Sequence, residues 1–207
     1  MTELLAVLGG YLLGSLPFGY WLPRLFRGDD IRTHGSGNVG ATNVFRIYGR
    51  RLGSAVALLD VGKGFAAALL GLWAGGALIG VLAGAAAMLG HARPVFLRFQ
   101  KGGKMVATAG GAALALAPLA ALCCVIFWLA VFLLTRYASL ASIVTSLALV
   151  VFVLVFGYPW PVAIFAAAGA AAVILLHRHN IRRLAGGTEH RFEFRSRRLR
   201  SRRPRRA

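Results

Sequence analysis

Apolar runs close to 20 residues long recur from one end of this chain to the other, and nearly all of its arginine and lysine lies between them or at their ends. About 20 helical residues is what a ~30 Å hydrocarbon layer requires at ~1.5 Å per residue, and a water-soluble core of this size has no use for so many. Charged residues make up 14% of the 207 positions and mean hydropathy is +0.69, where a soluble domain carries about 25% charge. The expected class is an all-α, polytopic membrane protein. The apolar segments fall at 3–23, 53–75, 77–91, 106–116, 118–136, 140–157 and 160–177.

The number of spans follows from loop charge. With seven, the Arg/Lys-bearing stretches 24–51, 93–104, 136 and 178–207 share one face, the cytoplasmic one, and the N-terminus lies outside. The opposite connections at 75–76, 117–118 and 157–161 contain no lysine or arginine. Six spans would split these loops across the membrane and export a tail with twelve arginines from Arg178 onward. Seven is therefore expected, with the short 106–116 span set against other helices or where the bilayer thins.

A net charge of +18 often signals nucleic acid, but arginines placed between apolar spans fit the positive-inside rule and anionic lipid heads instead. No nucleic-acid partner is expected. Cys123 and Cys124 are adjacent in an apolar run with no third cysteine, which argues against a disulfide framework or a cysteine metal site. Glu3 precedes the first apolar run without a basic segment, so that run is expected to remain as a span. The stretch 21–27 has the pattern of an interfacial amphipathic segment. The division expected is a membrane domain over 1–189 and an Arg-rich cytoplasmic tail over 190–207, disordered or lying on anionic lipid.

Four stretches between the spans carry chemistry. Residues 35–40 match G-x-G-x-x-G, yet a membrane helix and a polar turn precede them, not the strand of a dinucleotide fold. Gly35, Gly37 and Gly40 still allow backbone N–H groups to converge on an anion. Ser36, Asn38, Thr42 and Asn43 add side-chain donors, and Arg46 adds a bidentate phosphate ligand. The second stretch combines Gly102 and Gly103 with Lys101 and Lys104; Met105 follows, where a Walker loop needs serine or threonine. In the third, Ser139 and Ser142 open a helix, where serine is often an N-cap. The fourth places His177 and Asn180 on one face at a membrane exit, where the histidine suits a proton carrier or an interfacial anchor. Within the second span, Asp60 and Lys63 at i, i+3 read as a structural ion pair bordering the site.

In this order the residues resemble the acyl-phosphate-dependent glycerol-3-phosphate acyltransferases of bacterial membranes, the PlsY family. The likeness runs from 11–19 through Glu189. It is most specific over 35–46, then Gly49, Gly53 and 60–64, Gly90 with His91, 102–104 with 106–108, Ser139 with Leu140, and 177–184. Met105 stands where the family usually has glycine, and the approach 99–101 is one residue longer than usual. The resemblance implies a seven-helix fold in the bacterial inner membrane with the site on the cytoplasmic side. It implies transfer of a fatty acyl group from acyl phosphate to the sn-1 hydroxyl of glycerol 3-phosphate, giving lysophosphatidic acid and phosphate.

On that reading Lys104, His177, Arg46 and Ser36 are the catalytic candidates. Gly35, Gly37, Asn38, Gly40, Thr42, Asn43, Gly102, Gly103, Ser139, Ser142 and Asn180 are the substrate-binding ones. Positioning and charge stabilisation would carry catalysis, with no cofactor and no metal. The proton of the attacking hydroxyl has two acceptors, His177 or a substrate phosphate. No histidine is followed five residues later by aspartate, which disfavours an H-x-x-x-x-D thioester enzyme. A transporter of a small phosphorylated compound is the alternative class, since intramembrane Asp60 and Lys63 and cationic loops suit one.

Overall fold

The computed structural model describes residues 1–192, and their secondary structure is helical throughout. The first apolar run, expected as a span over 3–23, is two helices that together still form one stretch long and apolar enough to cross a membrane. Thr2–Gly14 (α1) closes at Ser15, and Pro17 turns the chain into Phe18–Arg27 (α2). The cause is Pro17: it lacks an N–H and forces the residue before it out of helical geometry. The second helix is the expected amphipathic one, ending on Arg24, Arg27 and a left-handed Gly28.

After Ala41–Tyr48 (α3) comes Arg50–Ala92 (α4), 43 residues folded back on themselves. The dihedrals leave helical values at Gly75 and Gly76, the latter at φ 72°, a conformation glycine adopts without steric cost. Gly71 then lies against Gly80, and Gly84 against Ala68, pairs symmetrical about that turn. The two arms are the segments expected at 53–75 and 77–91. Val106–Leu116 (α5) and Pro118–Thr135 (α6) follow, parted by the non-helical Ala117 and restarted by a proline in the first turn. Ala138–Val155 (α7), Trp160–Leu176 (α8) and Arg178–Ala185 (α9) complete the described chain, the last two meeting at 62° around His177.

Small residues let these helices touch backbone to backbone, as helices in lipid commonly do. A methyl group on Gly14 would collide with Ala87 of α4, and one on Gly64 or Gly111 would collide across the α4–α5 contact. Val81, Met88, Leu116, Val153 and Phe165 fill the centre of the bundle. Ile31, Val39, Val44 and Val56 form a second cluster beneath the first polar loop. By length and apolarity, four described stretches qualify as membrane spans, five with the bent α8–α9 pair. That count takes both arms of α4 together and leaves out the 11 residues of α5. The packed chain continues to Phe192, inside the tail expected from 190; residues 193–207, the rest of that tail, lie outside the described residues.

Candidate active site

The first glycine loop is shaped largely by its own asparagines. Gly35 and Gly37 take positive φ of 57° and 66°. Asn43, buried on α3, donates to the carbonyls of His34 and Asn38, each at 3.0 Å, and accepts from the Ser36 N–H at 3.1 Å. Asn38 accepts from the Gly40 N–H at 2.8 Å and donates to the Gly102 carbonyl at 3.1 Å, joining the first loop to the second. Both amides are therefore engaged in holding the loop. The hydroxyl of Ser36 and the guanidinium of Arg46 make no hydrogen bond to any described residue and line the cavity beside it, as does Thr42.

The second loop rises from the end of α4. Arg98 and Phe99 both adopt left-handed backbone, at φ 52° and 58°. Gly102 and Gly103 donate their N–H groups to the carbonyls of Ala92 and His91 at 2.9 and 3.0 Å. Lys104 then reaches across to donate to Asn180 Oδ1 at 2.5 Å. Burial pulls the Lys104 ammonium down to a pKa of about 8; Glu189 opposes the shift, and Arg183, Lys101 and Arg46 add to it.

Met105 sits at φ 68° with 6% of its surface exposed. Left-handed geometry costs a non-glycine residue ~1–2 kcal/mol, while emptying a buried methionine site costs ~2–5 kcal/mol. Burial wins. Met105→Gly is expected to lower stability by about 1–3 kcal/mol, read as a lower Tm in detergent; a raised Tm would show strain to dominate.

Glu189 was passed over among the site residues, yet it ties the remaining stretches together. Its Oε1 accepts from Ser139 Oγ at 2.8 Å and Asn180 Nδ2 at 2.7 Å, and its Oε2 accepts from Arg183 Nε at 2.7 Å. Burial pushes its pKa up, but the bonds from Asn180, Arg183 and Ser139 outweigh this and hold the carboxyl below its ordinary value. Its signal in the sequence was scarcity: it is one of six acidic residues, just past a Gly-Gly turn in an arginine-rich stretch. Phe192 closes the strap that follows. Its ring lies between Phe45 and Phe132, at 5.2 and 5.3 Å, and its N–H donates to the Arg136 carbonyl at 2.8 Å.

His177 is buried, and its Nδ1 lies 2.8 Å from the Val173 carbonyl. A carbonyl only accepts, so Nδ1 carries the hydrogen, and in the neutral ring Nε2 keeps a lone pair. Ser142 donates to Ala138 O at 2.7 Å and accepts from Trp128 Nε1 at 3.2 Å, so its hydroxyl serves the α6–α7 contact. Lys63 Nζ lies 2.8 Å from Asp60 Oδ1, an ion pair as expected.

These groups surround a cavity of about 700 Å³. One end is polar, with Ser36, Arg46, Lys104, His177 and Asn180; the other runs between α5, α6, α7 and α8 past Ala113, Leu114, Val125, Leu149 and Phe165. Fold and site together define an integral membrane protein with a cationic, donor-rich cradle at the head of an apolar cavity.

The glycerol-3-phosphate acyltransferase family profile matches residues 4–187. A glycerol-3-phosphate acyltransferase 2 of Moorella thermoacetica is 47% identical over 93% of this chain and 99% of its own. The crystal structure of PlsY, an integral membrane glycerol 3-phosphate acyltransferase, in its glycerol 3-phosphate form superposes with a TM-score of 0.89 at 45% identity, covering 93% of this chain and 96% of the other. Its lysophosphatidic acid form gives 0.87 at 44% over the same shares. The chain belongs to the glycerol-3-phosphate acyltransferase family and is an integral membrane acyltransferase of that kind. That membership sets the transporter reading aside.

Proposed function

We propose that this enzyme moves a fatty acyl group from acyl phosphate to the sn-1 hydroxyl of glycerol 3-phosphate, releasing phosphate and lysophosphatidic acid, the first step of phospholipid synthesis. The observation that carries this reading is one cavity with Ser36, Arg46 and Lys104 at its polar end and an apolar bore beyond them. Such a shape suits a donor with an anionic head and an alkyl chain, and an acceptor that is itself a phosphate ester. Donors held in place act on the charge that develops at the reacting carbonyl and at the departing phosphate.

The hydroxyl oxygen of glycerol 3-phosphate attacks the carbonyl carbon. The bond from that carbon to the bridging phosphate oxygen breaks, and phosphate leaves with the electron pair. Arg46, Lys104 and the Ser36 hydroxyl hold the phosphates, with the N–H groups of the first glycine loop and of Gly102 and Gly103 shaping the cradle. The hydroxyl proton passes to Nε2 of His177 or to a phosphate oxygen in the same cradle. Asn180, Ser139 and Glu189 fix Lys104 and α9. The membrane domain spans 1–189, crosses a bacterial inner membrane seven times, and keeps its N-terminus outside and its Arg-rich tail in the cytoplasm; the charge-free opposite turns at 75–76, 117–118 and 157–161 support that sidedness.

Purified protein in detergent tests the reaction. Palmitoyl phosphate with glycerol 3-phosphate is expected to give 1-acyl product and one phosphate per transfer, and palmitoyl-CoA none. Turnover with the thioester alone, or acylation at the secondary hydroxyl, would overturn the reading.

The profile of rate against pH follows from Lys104. A cation with a pKa of about 8 is lost as pH rises, so kcat/KM for glycerol 3-phosphate is expected to fall above about pH 8, since this ratio reports groups of the free enzyme. Lys104→Arg keeps its charge throughout this range and removes that limb, because a guanidinium stays protonated. An unmoved limb would assign it to another group.

A further inference from the structure

The loop that presents Lys104 lies against one face of a buried side chain that the proposed reaction leaves unused. The ring of His91 occupies the place a methyl group on Gly103 would need, its Nε2, Cε1 and Cδ2 being the nearest atoms there. The backbone carbonyl of His91 also accepts the Gly103 N–H at 3.0 Å. On its other side the ring meets Lys63, whose Nζ is 2.9 Å from Nδ1. An ammonium has only donors, so Nδ1 accepts.

The same Nζ lies 2.9 Å from the Leu16 carbonyl and 2.8 Å from Asp60 Oδ1. The ammonium thus hydrogen-bonds the Leu16 carbonyl and Nδ1 and forms an ion pair with Asp60, and Asp60, Lys63 and His91 are each 6% exposed or less. Apolar side chains of similar volume would hold the helices as well as a buried ion pair. What the polar set adds is direction: it fixes the plane of the His91 ring.

We propose that Asp60, Lys63 and His91 are positioning residues, a buried strut that sets the His91 ring beneath Gly103 and thereby the place of Lys104 in the phosphate cradle. The proposal rests on the reading that Lys104 binds substrate phosphate.

A mutant cycle on the full chain, purified in detergent, separates the two. Lys104→Gln is expected to lower kcat/KM for glycerol 3-phosphate about 10²-fold or more, as for a lost positioned donor. His91→Ala is expected to lower it about tenfold or more, chiefly through KM, in protein that stays folded although Tm falls because Lys63 loses a buried partner. Because His91 acts through Lys104, the double variant falls no further than about threefold below Lys104→Gln alone, the non-additivity of groups working as a unit. Losses that multiply would mark a general structural role and overturn the proposal, as would wild-type kcat/KM in His91→Ala. Wild-type kcat/KM in Lys104→Gln would remove the underlying reading and the proposal with it.

If His91→Ala does not accumulate, Gly103→Ala asks the same from the loop side. A loss that vanishes in the Lys104→Gln background supports the strut, and wild-type activity refutes it.

Discussion

Replacing Lys104 with alanine is expected to lower kcat/KM for glycerol 3-phosphate by about 10²–10³-fold, the cost of removing one positioned donor from a site that stabilises developing charge. Two effects combine in that loss. The cradle loses a half-buried cation whose partner in the resting enzyme is Asn180, and Asn180 Oδ1 loses its donor. Arg46 remains and has no bond to another described residue, so phosphate binding is weakened, not abolished. The measurement is steady-state kinetics on protein in detergent whose Tm matches the unsubstituted enzyme. If yield and membrane insertion suffer while the purified variant turns over normally, the charge at 104 serves topology alone.

His177→Ala carries the widest expected range, about 10²–10⁴ in kcat, the span typical of a lost general base. The geometry behind it is the engaged Nδ1, which leaves Nε2 without a hydrogen bond to any described residue. A loss below about tenfold would assign the proton to a phosphate oxygen and leave the histidine to orient the hydroxyl, because general-base removal costs at least ~10². The two residues come from different elements, one on the loop after α4 and one at the α8–α9 bend. Each can be removed without deleting the other's support.

Much of this architecture was legible in the sequence, for reasons that differ from element to element. The turn of α4 could be placed at 75–76 because two glycines interrupt an apolar run without any charge between them. The α5–α6 boundary was legible from Pro118. The break in the first run was missed because apolar Leu16 and Phe18 carry the hydropathy across Pro17; hydropathy averages over a proline, while backbone geometry does not.

Within the site, spacing showed which donors are available but not where they point. Asn38 and Asn43 looked like ligands and are engaged in shaping the loop, and Ser142 is engaged between α6 and α7. Glu189 reaches Ser139 across 50 positions and the Lys104–Asn180 bond closes across 76. Such pairings belong to tertiary packing, on which local pattern is silent. The contact of His91 with Gly103 is of the same kind: glycine in a loop reads as flexibility until the ring beneath it is seen.

The central claim is that the cradle positions two substrates and the acyl group passes directly between them, without residence on the protein. Rapid-quench measurement with acyl phosphate labelled in the acyl chain tests it most directly. The account predicts no label on the protein and no burst of phosphate before glycerol 3-phosphate is added, then one phosphate and one labelled lysophosphatidic acid per transfer. A burst equal to the enzyme concentration without acceptor, with label retained on the chain and lost in Ser36→Ala, would contradict it.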